Sequence, residues 1–263
     1  MAPPEMTVSL LMTSPVVTVT AETPLDVAHR TLLDRRISAV PVVAADGRPV
    51  GVLSETDLLR IGRMQPLSLA GLQVLDLPAE PVGQHMHRGI TTVKADTPVT
   101  AAARLLAEQH IHRVYVRGEG SLAGVFSVEE VLVAVREKRI ATPVGAAMTA
   151  PVHTVFLYDT VAEATARLDH TGVSGLAVVD EDGHPAGVFT KTEALKARDI
   201  PASSLVEEVM SYAMLHHNAR TPVFRAAAHA YETGTRRVLV MEGGELVGVL
   251  SGLGFARVLA DSG

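Results

Sequence analysis

The chain contains no cysteine, which excludes disulfides, thiolate metal sites and cysteine nucleophiles together and fits a reducing cytosol. No uninterrupted apolar stretch approaches the roughly 18 to 20 residues that a membrane-spanning helix needs. The opening Met1-Ala2-Pro3-Pro4-Glu5 lacks the basic region and apolar run of a secretory signal. These absences lead us to expect a soluble, cytoplasmic protein with no membrane insertion. An excess of positive charge is missing too: the formal net charge is −6 and the pI about 6.0. That balance argues against broad binding to nucleic acid, so an anionic ligand would need a local basic pocket. Also lacking are a phosphate loop, a dinucleotide-binding fingerprint and a Gly-x-Ser-x-Gly elbow. Since the candidate acids have no partnering base, no enzyme is expected.

What the chain does have is repetition. The stretch Gly51-Val52-Leu53-Ser54-Glu55-Thr56-Asp57 returns as Gly124 to Glu130, Gly187 to Glu193 and Gly248 to Gly254, with the glycines 73, 63 and 61 residues apart. Such spacing is too long for a solenoid turn and suits a small supersecondary unit that cannot bury its apolar face alone. Each unit opens on a methionine (Met12, Met86, Met148, Met210) before a short β-rich run, of which Met214-Leu215-His216-His217 reads as the weakest strand. Thr23-Pro24, Thr97-Pro98 and Thr221-Pro222 then place a capping hydroxyl before a proline suited to the first helical position. Thr160-Val161-Ala162-Glu163 substitutes a capping box. In the first of these helices Leu25, Ala28 and Leu32 share one face.

A hairpin follows in every unit, turning at Asp46-Gly47, Gly118-Glu119-Gly120, Asp182-Gly183 and Gly243-Gly244. Its second strand runs into the repeated motif, whose Ser or Thr can cap a final helix such as Ser54 to Ile61. The order is strand, helix, strand, strand, helix, four times. The capping Thr and the motif glycine are 28 residues apart in the first copy and 27 in the other three. Gly62 to Glu80, with Pro66, Gly71 and Pro78, is expected to be a linker with at most a short helix.

This order, the Met-Thr-x-Pro-Val-x-Thr-Val openings at Met12 and Met148, the strand Ile37-Ser38-Ala39-Val40-Pro41-Val42-Val43 and the Gly-Val-Leu-Ser-x-x-Asp ending resemble the cystathionine β-synthase (CBS) domain, from about Leu10 to Leu259. The resemblance implies an α/β fold of four CBS repeats (about 6–62, 81–138, 142–198 and 204–261). They would pair into two pseudo-twofold Bateman modules, residues 6–140 and 141–262. Four repeats in one chain resemble the regulatory gamma subunit of the AMP-activated protein kinase. The implied function is a non-catalytic, energy-sensing regulatory protein that binds AMP, ADP, ATP or S-adenosylmethionine and signals to a separate, unknown partner. The alternative is an association platform whose clefts bind nothing. No cofactor or metal is required, and the modules would pair within one chain or as a homodimer.

By the same resemblance, one cleft joins Val52, Ser54 and Asp57 to Thr91, His112 and Arg113. Its mirror joins Ser127 and Glu130 to Val17, Ser38 and Ala39. In the second module Thr190 and Glu193 face Leu215, Arg236 and Arg237, while the last cleft holds Ser251, Ser174 and Gly175 with Gly254 in place of the acid. One carboxylate can accept from two ribose hydroxyls, and phosphate prefers a helix start with an Arg nearby. The plain alternative for Ser-x-x-Asp/Glu is a capping box. For Arg236-Arg237 it is a charged strand edge. The histidine pairs His85/His87 and His110/His112 have i, i+2 spacing, but no Asp or Glu completes a metal site at local spacing.

Overall fold

The computed structural model describes residues 5–66 and 73–263. The first four residues and the stretch 67–72, including Gly71 of the expected linker, lie outside the described residues. Four units follow one plan. In the first, strand Val19–Thr20 runs parallel to Ala39–Val43, which pairs antiparallel with Pro49–Ser54. Helix Leu25–Arg35 crosses between the parallel strands, and helix Glu55–Ile61 closes the unit. The other central hairpins are Arg113–Arg117 with Leu122–Ser127, Gly175–Val179 with Pro185–Thr190, and Arg237–Glu242 with Glu245–Ser251. Each is bulged at the equivalent point, before the turn. The turns need a left-handed residue, and Gly47 (φ 81°) and Gly183 (φ 83°) supply it without a Cβ clash.

Three readings need correction. Thr23, Thr97 and Thr221 do not cap the helices that follow: Pro24, Pro98 and Pro222 are the N-caps and make no side-chain bond. The hydroxyls of Thr23 and Thr97 turn back to accept from the Thr20 and Lys94 amides, closing the turn out of the strand. Thr160 does form the expected capping box. The fourth opening strand, Leu215–Asn218, is the longest of its kind, against two residues for Val19–Thr20 and Thr92–Val93. Alternation of half-buried Leu215 and His217 with exposed His216 and Asn218 matches a strand period despite its polarity. Finally, the described residues of the expected linker, for which at most a short helix was expected, include a β-ribbon, Arg63–Pro66 against Gln73–Asp76.

The units exchange their openings. Helix Val8–Leu11 and Thr13 belong to the second unit: the Val8 amide donates to Thr97, and Thr13 bridges Val125. Reciprocally His87–Arg88 adds to the first sheet beside Gly51 and Val52. Thr149 bridges Val249 and Ser211 bridges Val188 in the second half. The motif glycines receive the opening methionines at these crossings. A Cβ on Gly187 would stand 2.8 Å from the Met210 sulfur, and one on Gly51 2.8 Å from that of Met86. Glycine and methionine, read separately in the sequence, form one interlock across each pair.

The two pairs meet through helices. Val99–Glu108 and Val128–Glu137 of the second unit pack on Val223–Thr233 and Gly252–Ala260 of the fourth, making one core that includes Leu106, Phe126, Val135, Ala226, Phe255 and Leu259. The first and third units keep separate cores, around Leu25, Val40 and Leu58 and around Leu168, Leu176 and Phe189. The Arg198 guanidinium donates to the Arg60 and Gly62 carbonyls, and Asp199 accepts from Arg63 at 3.0 Å, joining the first and third units at the rim. No helix among the described residues is long and apolar enough to cross a membrane.

Candidate functional site

The motif acids stand at helix starts and are engaged there. Asp57, 6% exposed, accepts from the Ser54 amide at 2.9 Å and its hydroxyl at 2.5 Å. Glu130, equally buried, does the same with Ser127 at 2.7 Å for both bonds, and Glu193 with Thr190. All three are capping boxes; Ser251 caps its helix alone, because Gly254 offers no acid. The second oxygen of each acid in the first pair is met from the other unit by the residue after the opening methionine. His87 Nε2 lies 2.9 Å from Asp57 Oδ1, and the Thr13 hydroxyl donates to Glu130 Oε1 at 2.7 Å. Sequence reading weighed His87 only as a metal ligand and gave Thr13 no role at the acids; their shared signal is the place one residue past Met12 and Met86.

The cationic groups gather at the middle of the molecule, where the hairpin ends meet. Cross-strand registry sets Ala39 beside Ser54, Arg113 beside Ser127, Gly175 beside Thr190 and Arg237 beside Ser251. Arg113 donates to the Ser38 hydroxyl at 2.9 Å and the Ala39 carbonyl at 3.3 Å. Arg237 donates to the Ser174 carbonyl and hydroxyl at 3.0 and 3.1 Å. The basic position of one expected cleft is thus bonded to the small pair assigned to its mirror, and the two clefts of each pair share a wall.

Arg236 departs from the expected grouping with Thr190 and Glu193. It crosses to the first pair, donating to Ser38 at 3.2 Å and Glu129 at 3.0 Å. Leu215 also turns away, packing against the helical core, as does the outward-facing alternate of any strand covered on that side. Val52 sits in the strand ladder between Pro41 and His87, and the Thr91 hydroxyl donates to Gln109. Val17 packs against the first core.

Burial and mutual repulsion shape this cluster. Burial pushes the Arg113 guanidinium below its usual value, with Arg236 adding to the effect and Tyr115 and Glu129 opposing it. The His112 pKa is lowered by desolvation of its ring first, then by Arg236, Arg113 and Arg237, which favours the neutral form although the residue keeps an exposed surface. Tyr115, two residues past Arg113 and on the same side of the strand, is 2% exposed, and its hydroxyl lies near the Arg113 guanidinium while making no hydrogen bond within 3.5 Å. Burial raises its pKa against the pull of Arg113. Among the described residues no carboxylate lies within 4.0 Å of Arg113 or Arg237. A half-buried guanidinium satisfied only by neutral oxygens keeps charge to offer an anion. No group of three or more His, Asp or Glu residues among those described could hold a metal; His85 instead contacts Glu80 and His87 contacts Asp57.

Comparisons with known proteins agree with this architecture. The CBS domain family matches residues 8–63, 82–137 and 144–199. An uncharacterised protein of Methanocaldococcus jannaschii is 24% identical over 271 residues, covering 95% of this chain; the chain spans 61% of that relative's length. A crystal structure from the same organism, of a protein proposed as an archaeal homologue of the AMP-activated protein kinase γ subunit, superposes with a TM-score of 0.74 at 16% identity, covering 96% of this chain and 99% of the other. An uncharacterised conserved protein from Pyrococcus horikoshii superposes with a TM-score of 0.69 at 22% identity, covering 97% and 100%. These likenesses establish the shared four-unit fold.

Proposed function

The chain belongs to the CBS-domain family, and from that membership we propose that it is a non-catalytic regulatory protein that binds an adenosine compound between paired repeats and signals to a separate protein. Its two binding modules are residues 6–140 and 141–262. The observation that supports this reading is Arg113, a half-buried guanidinium with no carboxylate partner, which pairs with Ser127 in the strand ladder and bonds to Ser38 and Ala39, the neighbours of Ser54. A phosphate there would satisfy the charge, and the helix starts favour an anion. Tyr115 offers a buried hydroxyl beside it. The ribose reading assigns its vicinal hydroxyls to Asp57, whose Oδ1 also contacts His87 Nε2 at 2.9 Å.

Calorimetric titration against AMP, ADP, ATP and S-adenosylmethionine tests the reading and identifies the ligand. At about 100 times Kd the bound compound should stabilise the fold by about 2.7 kcal/mol. The platform alternative draws on one observation: Asp57, Glu130 and Glu193 already serve as caps. A thermal-shift series with no response at millimolar levels of all four compounds would favour it.

A further inference from the structure

A second basic site lies on the helical side of the fourth unit, away from the hairpin ends. His217 shares its face of the strand with Leu215, which packs into the helical core, so both point away from the face carrying His216. There His217 meets His229 of helix Val223–Thr233, Nε2 to Nδ1 at 3.1 Å with the rings stacked 4.9 Å apart. Three arginines complete an open groove of about 490 Å³: Arg136, Arg139 and Arg225. Phe224 anchors two of them, with the Arg139 and Arg225 guanidinium carbons 5.2 and 5.8 Å from its ring centre. Arg139 follows the end of helix Val128–Glu137 in a left-handed conformation, φ 50°, where glycine is the usual residue. The site therefore draws its cations from the end of the second unit and the first helix of the fourth.

The charge balance is unusual for this molecule. On a chain of net charge −6, three guanidinium groups and two imidazoles surround one groove. Among the described residues Glu137, bound to Arg136 at 3.0 Å, is the one carboxylate within 4.0 Å of the three arginines. Arg139 and Arg225 have stacking partners and no acidic one. Like charges held together by aromatic contact repel until an anion joins them, and planar guanidinium groups match phosphate oxygens two at a time. The histidine pair adds ring N–H donors on the same wall. The volume admits a small metabolite and is too small for a nucleic-acid groove on an acidic protein.

We propose that this groove binds a small phosphorylated molecule, its phosphate held between Arg139, Arg225 and the His217–His229 pair, independently of the adenosine clefts. The test follows imidazole resonances of the labelled full chain during titration with inorganic phosphate, with chloride at matched ionic strength as control. His217→Gln and His229→Gln identify the two signals. Phosphate should shift both saturably while leaving His29 in place, and adenosine, which carries no phosphate, should move neither. Arg139→Gln and Arg225→Gln should each weaken phosphate roughly tenfold to a hundredfold, whereas Arg113→Gln should leave this site unchanged. An unmoved His29 signal reports that each variant is folded. Equal shifts from chloride in the unaltered protein, or unchanged phosphate affinity in both groove variants, would overturn the proposal.

Discussion

Met12 of the first repeat lies directly over Gly124 of the second, and Met86 of the second lies over Gly51 of the first. The two crossings differ in one respect. A Cβ at Gly124 meets only Met12 side-chain atoms at its three nearest contacts, whereas one at Gly51 also meets the His87 carbonyl at 2.5 Å. Overpacking of this kind costs about 1 to 3 kcal/mol. In a double-mutant cycle by urea denaturation, Met12→Ala should relieve much of the cost of Gly124→Ala, because a flexible side chain is the obstacle. Met86→Ala should relieve little of the cost of Gly51→Ala. Equal coupling in the two cycles would contradict the interlock.

Asp57→Asn should lower adenosine-ligand affinity by one to two orders of magnitude, since a hydrogen bond to a charged group contributes roughly 1.5 to 3 kcal/mol. Glu130→Gln should change that site little. His87→Ala should tighten binding by freeing Asp57 Oδ1. Calorimetry on the three variants checks the set: weakening by Glu130→Gln with Asp57→Asn unaffected would move the ligand to the mirror cleft and leave Asp57 as a cap.

Arg113→Ala should weaken nucleotides while sparing adenosine, since phosphate is its proposed partner. Tyr115→Phe separates packing from binding. Removing a buried hydroxyl that makes no hydrogen bond within 3.5 Å and only a weak contact to Arg113 should change stability by no more than about 1 kcal/mol, while ligand affinity falls. A stability loss with affinity intact would mean that the hydroxyl serves the fold alone.

The histidines set a pH dependence. His29, His112 and His217 all titrate below 6.5 in the folded protein, each through burial first. The unfolded chain therefore binds protons more readily in that window, so their contribution to stability is complete above pH 6.5 and is lost as pH falls toward the folded values. Thermal melts should show decreasing stability below pH 6.5, with a shallower decline in His112→Gln. A nucleotide phosphate beside His112 would raise its pKa, so binding should take up protons and strengthen as pH falls through the same window. Affinity that weakens over this range would place the phosphate elsewhere.

The fold was legible where the chain repeats itself. Leu25, Ala28 and Leu32 are buried as their spacing predicts, and the glycines of the four turns identify the hairpins. Capping boxes at Ser54, Ser127 and Thr190 were readable because each is a local four-residue pattern. Contacts between distant segments were not. Arg236 reaches Ser38 across 198 residues, and His87 reaches Asp57 across 30; neither is encoded in a local period. The ribbon at Arg63–Pro66 was hidden by its prolines and glycines, which signal a break without naming the structure that fills it.

The shared core of the second and fourth repeats places the sturdiest part of the protein across the boundary between its two modules. Backbone amides in helices Val99–Glu108 and Gly252–Ala260 should be the last to exchange with deuterated solvent, while those of the first and third repeats, each on a smaller core, open earlier. A pull felt by one module therefore reaches the other through its stiffest element, and the pliant repeats, at the rim where Arg198 and Asp199 join Arg60 to Met64, are the ones left free to change shape.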